Sequence, residues 1–512
     1  MQRLANSWDH PPDPVNPRKL VGYLGLVLLV LGGFMATSLP WAFVDAEHTG
    51  RLVPWAVAVA ITLLAGAVGL FVGRGRGGGG SEGSQKDGPF ETEITRREAL
   101  VIVTLAWVLC SVFSALPFVL DGMTSGVVDA LFEATAGFTT TGSTILTDIE
   151  SNSLASLWWR SMLQWIGGMG IIVLFVAILP HVGSGGRRLF ESEMPGPTKE
   201  QLRPRIRETG LALWRIYAGL TLGLFVLLYL LGLSGFDAAC HALTTMASGG
   251  FSTKGASIAA FDSALVDVTI TLFMLLAGTN FALYYALQRG AGLTAFRDRE
   301  FGVYIGVFAV ATAIVTASIL SLHDGNVLLA LRYGSFQVAA MLSSTGFSTD
   351  NFDVYPGLAR VLLVGLMFMG GMGGSTAGGF KISRVVIALA AAVQEMRHAV
   401  HPRAIFSTRI GSRVIQPPVV ASVLAMFVIA VVAMACSTLV LCGLGLGFQE
   451  GFSASLTCLF NMGPGLGELG PDSSFASVPD VGKLLLCFLM ILGRLEFYTV
   501  LALFLPGFWR SR

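Results

Sequence analysis

Charge is scarce in this sequence. Asp, Glu, Lys and Arg make up 13% of 512 residues, about half their share in soluble domains. The formal net charge is +1, which leaves no broad field for holding a nucleic acid. Six cysteines (Cys110, Cys240, Cys436, Cys442, Cys458, Cys487) lie mostly inside apolar runs. They show neither metal-ligand spacing nor a paired framework, so they read as small apolar fillers. The seven histidines (His10, His48, His181, His241, His323, His398, His401) are expected in loops or at helix ends. That leaves no His, Asp and Glu cluster inside the apolar spans, and a membrane-embedded enzyme is not expected. No Gly-Lys-Ser/Thr run and no glycine fingerprint after a soluble strand occur, so the chain carries no nucleotide-binding fold of its own. Met1 to Lys19 is too polar and proline-rich for a cleaved signal peptide.

Apolar residues dominate instead, at 53%, with a mean hydropathy of +0.70. A spanning helix needs about 20 mostly apolar residues. Ten runs meet that need: Leu20–Val44, Leu52–Val72, Ala99–Leu120, Leu157–Ile178, Leu211–Leu233, Leu265–Leu287, Phe301–Leu322, Ala359–Met369 with its continuation Val385–Val393, Pro418–Leu441 and Val481–Leu505. Gly73–Gly88 reads as a flexible linker after the first pair. Basic residues gather in alternate loops, at Arg74/Arg76/Lys86, Arg187/Arg188/Arg203/Arg205/Arg207, Arg289/Arg297/Arg299 and Arg397/Arg403/Arg409/Arg413. Short basic loops stay cytoplasmic, which places both termini there too.

Shorter apolar pieces lie between the later spans, at Val127–Thr135, Phe236–Met246, Val327–Leu342 and Phe448–Phe460. They are too short to cross. Each ends at or just before a glycine phrase: Thr140-Thr141-Gly142, Ser248-Gly249-Gly250, Ser344-Thr345-Gly346 and Asn461-Met462-Gly463. The unit is therefore helix, half-helix, loop, helix, written four times at roughly hundred-residue intervals. The expected fold is an all-α polytopic membrane protein of about ten spans. Four pseudo-repeated units surround one pore, with an extra N-terminal helix pair. The expected divisions are 1–97 for the pair and linker, then 98–207, 208–299, 300–413 and 414–512 for the units.

Irregular backbone at membrane depth is tolerated only where it is buried in protein or lines a water-filled cavity. Rings of backbone carbonyls replace the hydration shell of a potassium ion. The dihedrals that turn carbonyls inward favour glycine. The three residues of each phrase are thus the candidate ion ligands. The half-helix C-termini add negative dipole ends that favour a cation.

With these phrases stand Gln164-Trp165-Ile166-Gly167-Gly168-Met169-Gly170, Ala277-Gly278-Thr279-Asn280-Phe281, Gly370–Lys381 and Gly493-Arg494-Leu495-Glu496. Together they resemble the Trk/Ktr/HKT superfamily of potassium transporters over about Leu20 to Leu505, and the extra N-terminal pair resembles the Trk branch. The resemblance implies potassium as the transported ion. It also implies a homodimer and a cytosolic ring of nucleotide-binding RCK-type subunits beneath it, in the inner membrane of a prokaryote. Arg203–Arg207 and Arg397–Arg413 offer docking for that ring or for anionic lipid. In some plant members serine replaces the first filter glycine and sodium is favoured; Gly142 resembles the potassium-selective pattern. Met462 and Pro464 depart from the other three phrases, so selectivity below that of a symmetric channel is expected.

A fifth cluster has a different character. Six glycines fall within Gly370–Gly379, each costing about 1 kcal/mol in a helix interior. The expected span therefore breaks into a loop, and the resemblance implies an intramembrane gate there. Its candidate residues are Gly370, Gly371, Gly373, Gly374, Ser375, Thr376, Gly378 and Gly379, with Lys381 at the inner end. Lys381 is expected to snorkel toward the interface. Arg494 lies within the last apolar span, where an arginine needs a partner. The carbonyls and hydroxyls of Gly374–Thr376 are better placed than Glu496, because residues two apart on a helix do not face each other. No chain of buried carboxylates fit to relay protons is seen, so channel-like conduction is favoured over proton- or sodium-coupled symport. A secondary carrier for a small solute would show two inverted repeats rather than four like ones.

Overall fold

The computed structural model describes residues 15–45, 51–74, 94–170, 206–403, 407–410 and 413–509. Much of the Gly73–Gly88 linker, the end of the fourth expected span and Arg187–Arg205 lie outside them. The described fold is helical, apart from a two-residue strand pair at Arg409–Ile410 and Arg413–Val414.

The N-terminal pair is α1 (Pro17–Met35) and α2 (Leu52–Gly73). Their backbones touch along glycines: a methyl group on Gly73 would lie 2.4 Å from the Gly22 Cα, and one on Gly25 would lie 2.5 Å from Leu70 N. Small residues of this kind let membrane helices approach closely. The pair packs onto α3 (Arg96–Leu120), whose start is fixed by a reciprocal capping box between Thr95 and Glu98.

Four short helices follow four long ones. They are α4 (Val127–Phe138) after α3, α7 (Gly235–Met246) after α6 (Ile206–Leu230), α11 (Val327–Leu342) after α10 (Arg299–Ile319), and α15 (Phe448–Phe460) after α14 (Pro417–Gly443). After the short helices come α5 (Leu154–Gly168), α8 (Ala264–Ala277), α12 (Gly357–Phe368) and α16 (Asp480–Arg494). Each short helix packs on its own long partner and on the helix that precedes or closes the series: α7 on α5, α11 on α8, α15 on α12, and α4 on α16. The last contact joins the two ends of the series, so the four short helices form a closed cycle.

Six helices among the described residues are long and apolar enough to cross a membrane, or eight if each bent pair is one span. The ten-span expectation differs at the helices that follow the glycine phrases. Ala264–Ala277 turns by 87° into Phe281–Gly290, and Asp480–Arg494 turns by 110° into Tyr498–Phe504. At the first bend the Asn280 side chain accepts from Ala282 N and starts the short helix α9 (Phe281–Ala286). At the second, Glu496 and Phe497 both hold positive φ, a conformation rare for residues with side chains. The third such helix is interrupted between Phe368 and α13 (Ile382–Val400). Side-chain capping marks the first break, positive φ the second and the glycine-rich stretch the third.

Candidate functional site

The four glycine phrases meet at the C-terminal ends of the four short helices. A methyl group on Gly142 would lie 2.1 Å from Gly249 O, and one on Gly250 would lie 1.9 Å from Thr345 O. One on Gly346 would lie 2.8 Å from Gly463 N, and one on Gly463 would lie 3.6 Å from Gly142 O. The segments therefore touch in the order first, second, third, fourth and back to the first. No side chain fits at the first three of these glycines.

The backbone explains why the segments hold this shape. Thr140 and Gly142 have φ of 57° and 81°; Ser248 and Gly250, and Ser344 and Gly346, repeat that pattern. In the fourth segment only Asn461 is left-handed, at 53°. The N–H groups turn back onto the parent helix. Thr140 N donates to Gly137 O, and Thr141 N to Ala136 O. Ser248 N donates to Thr245 O, Gly249 N to Thr244 O, Ser344 N to Met341 O, Gly346 N to Ala340 O and Met462 N to Thr457 O. With these donors spent behind the ring, the carbonyl oxygens of the segments accept no backbone N–H among the described residues and are left open to other partners.

Two carbonyls are exceptions. Gly249 O accepts from Gln164 Nε2 at 2.7 Å, while Gln164 Oε1 accepts from Phe251 N at 3.1 Å. Gly463 O accepts from Ser143 Oγ at 2.8 Å. One is bonded to α5 and the other to the residue after the first segment, so the ring is unequal at the second and fourth walls. Hydroxyl pairs brace the first and third walls in the same way: Thr139 Oγ1 with Thr141 Oγ1, and Ser343 Oγ with Thr345 Oγ1, each at 2.7 Å. Asn461 Nδ2 reaches Thr141 Oγ1 and Met490 O. Met462 is fully buried.

The glycine-rich segment lies directly against this ring. Ser248 Oγ pairs with Thr376 Oγ1 at 2.9 Å, and Ser344 Oγ accepts from Gly378 N at 2.5 Å. Gly379 N donates to Phe460 O at 2.9 Å. Thr140 Oγ1, at the corresponding position of the first wall, is buried with no hydrogen-bond partner among the described residues. The loop is densely tied elsewhere. Gly370 N donates to Phe380 O, Met372 N to Gly278 O and Ser375 N to Met372 O, while Gly371 O accepts from Ile382 N and Gly374 O from Phe281 N. Gly373 N donates to Glu300 Oε1 at 2.8 Å. A methyl group on Gly370 would lie 1.7 Å from Gly378 O.

Arg494 closes the far side of the loop. Its Nη1 donates to Thr376 O at 3.0 Å, and Nη2 donates to Gly167 O at 2.7 Å and to Gly168 O at 3.0 Å. Glu496 pairs instead with Arg384. Lys381 does not snorkel: it is 5% exposed, and its Nζ donates back to Ala377 O. The carbonyl nearby offers a partner that the interface would otherwise supply. Gly374, Ser375, Gly378, Gly379, Lys381, Arg384, Asn461, Arg494 and Glu496 line one cavity of about 110 Å³.

Several side chains at the site were not singled out by the sequence. Gln164 appears there only as part of a phrase. Glu133 and Arg160 form a buried ion pair at 2.8 Å. His241 was expected at a helix end, yet it is fully buried within α7, with Nε2 at 2.9 Å from Ser252 Oγ. The signal for these residues was their spacing. Glu133, His241 and Gln337 each stand seven residues before the left-handed residue of their segment.

The chain is similar to known proteins over most of its length. The family model TrkH, cation transport protein, matches residues 83–291 and 305–510. The Trk system potassium uptake protein TrkH of Salmonella typhimurium is 36% identical over 499 residues, covering 96% of this chain and 99% of that protein. TrkG of Escherichia coli K12 is 37% identical over 444 residues, covering 85% and 89%. The crystal structure of the potassium transporter TrkH from Vibrio parahaemolyticus matches with a TM-score of 0.84 at 32% identity, covering 96% of this chain and 99% of that one. A cycle of four helix-backed glycine segments is thus carried on a sequence alike from end to end, and the chain belongs to the TrkH family of cation transport proteins.

Proposed function

We propose that this protein takes up potassium through a gated pore, as the membrane subunit of a Trk-type system. The supporting observation is the closed ring of glycine segments whose donors are turned back onto their own helices. Thr140–Gly142, Ser248–Gly250, Ser344–Gly346 and Asn461–Gly463 line the filter, each surrounding dehydrated K+ with backbone oxygen. The four short helices point their negative ends at the ring and stabilise a cation there. Gly370–Gly379 is the gate, and Arg494 both pins it and sets a positive charge on the conduction path. A negative-inside potential contributes about 2.3 kcal/mol per charge per 100 mV, sufficient to drive accumulation through a passive pore.

The protein acts in the inner membrane with both ends in the cytoplasm, as a homodimer on RCK-type nucleotide-binding subunits. Supporting this, the basic Arg397 lies in the last turn of α13, which starts at the gate loop, and Arg403 follows just beyond that helix. The test is ion flux into proteoliposomes of the purified full chain. Potassium flux that exceeds sodium flux, and that persists without a proton gradient, is expected. Flux equal to that of empty vesicles, or flux abolished by collapsing the proton gradient, would overturn the reading.

A further inference from the structure

Behind the ring lies a second layer of side chains, and its members recur at one position. Glu133, His241 and Gln337 occupy the same turn of α4, α7 and α11, seven residues before Thr140, Ser248 and Ser344. Each reaches the stretch that leaves the ring, at the Ser or Thr four residues after that left-handed residue. Glu133 Oε1 accepts from Thr144 Oγ1 at 2.9 Å, and Oε2 accepts from Ile145 N at 2.9 Å. His241 Nε2 pairs with Ser252 Oγ at 2.9 Å. Gln337 Nε2 donates to Ser348 Oγ at 3.4 Å and to Asp350 O at 3.1 Å. All three side chains are fully buried. The fourth wall lacks the device: Ala454 and Gly465 stand at the two positions, and Ser453 Oγ accepts from Leu466 N in their place.

The first wall adds a cross-link. Arg160 Nε donates to Glu133 Oε1 at 2.8 Å, and Nη1 donates to Ser252 O at 3.2 Å in the second wall. Its guanidinium also lies 4.1 Å from the centroid of the Phe251 ring. One arginine therefore ties the exits of two adjacent walls together.

We propose that Glu133, Arg160, His241 and Gln337 are specificity-positioning residues. They hold the outgoing strands away from the axis and so fix the width of the ring. This rests on the glycine ring being the filter. A filter prevented from contracting cannot close around the smaller, more strongly hydrated sodium ion. Loss of a strut releases one wall, and the ratio of potassium to sodium permeability falls by about threefold to tenfold, the factor equivalent to one net hydrogen bond.

The test is the bi-ionic reversal potential of the purified full chain in planar bilayers. The variants are Glu133→Gln, Arg160→Gln, His241→Leu, His241→Gln and Gln337→Leu, with Gly250→Ser as reference. His241→Leu and Gln337→Leu are expected to lower the permeability ratio, and His241→Gln, whose amide oxygen keeps an acceptor for the Ser252 hydroxyl, to restore it. Reduced protein yield or total current with an unchanged ratio in these variants means a merely structural role and overturns the proposal. Should the charged pair prove too buried to alter without unfolding, the three uncharged variants decide the matter alone. A changed ratio in Gly250→Ser together with wild-type ratios in all strut variants defeats this proposal only. An unchanged ratio in Gly250→Ser defeats the filter reading and this proposal with it.

Discussion

Ser248 Oγ and Thr376 Oγ1 lie 2.9 Å apart, joining the second wall of the ring to the glycine-rich loop across 128 residues of sequence. Thr376 Oγ1 is shared further, with Met246 O at 3.1 Å and Ala277 O at 3.2 Å. The hydroxyl thus bonds the ring, the end of α7 and the end of α8 at once. A loop held this way is not a separate plug under the ring. In this structure it is bonded to the ring.

Thr376→Val keeps the shape of the side chain and removes the hydroxyl. The closed loop should lose about 1 kcal/mol, one net hydrogen bond. Potassium flux through the isolated protein should rise by about threefold to tenfold. Flux equal to wild type at equal reconstitution would show that the loop closes without this bond.

Arg494→Gln removes the charge and the bonds to Thr376 O, Gly167 O and Gly168 O. Hydrogen bonds to a charged group contribute about 1.5–3 kcal/mol each. The expected result is a leak at least about tenfold above wild type together with a lower melting temperature, because the same arginine fastens α5 and the loop to α16. Flux assays and thermal unfolding in detergent read the two effects separately.

Gly250→Ala places a methyl group 1.9 Å from Thr345 O at a φ of 78°. The conformation alone costs about 1–2 kcal/mol, and the contact forces the second and third walls apart. Potassium uptake should fall, and the flux that remains should no longer favour potassium over sodium. Gly219→Ala in α6 meets nothing within 4 Å and should gain up to about 1 kcal/mol of helix stability with flux retained. The pair of variants separates ring geometry from glycine loss in general.

The connection between α11 and α12 carries Asp353, whose Oδ2 accepts from Gly467 N at 3.1 Å. Burial pushes its carboxyl above the usual carboxylate range, against the opposing bond from Gly467. A carboxyl raised in the folded state binds its proton more readily there than in the unfolded chain. Its contribution to stability is therefore present at low pH and is lost as pH rises from about 4 through the raised value. Asp353→Asn should flatten that part of the melting-temperature profile above about pH 4. An identical profile in the variant would assign the dependence to other groups.

The half-helices were legible because short apolar runs ending at glycine leave little choice: Val327–Leu342 and Phe448–Phe460 stand where the pattern put them. The first run was cut short at Thr135, whereas α4 continues to Phe138. The Gly-Phe-Thr sequence there lowers the apolar score while the helix still caps normally. The breaks after α8 and α16 were invisible, because Phe281–Ala286 and Tyr498–Leu501 are as apolar as what precedes them. Only Asn280 and the strained pair Glu496 and Phe497 mark the turns, and hydropathy does not register dihedral angles. The struts were missed for a different reason. Glu133, His241 and Gln337 are three chemically unlike residues, and their equivalence shows only once the left-handed residue after each is located.

The bond from Ser143 Oγ to Gly463 O spans 320 residues of sequence, and it has a consequence for how the protein is made. A growing chain inserts its first wall long before the fourth exists. Contacts of such long separation form late, after most of the loop-closure entropy has been lost. The first glycine segment can wait, because its N–H groups are already satisfied by α4 behind it. Its open flank is covered only when α15 and α16 arrive. Assembly should therefore be completed by the last segment synthesised, and substitutions in Asn461–Gly463 should depress maturation of the whole protein more than equivalent ones in the second wall.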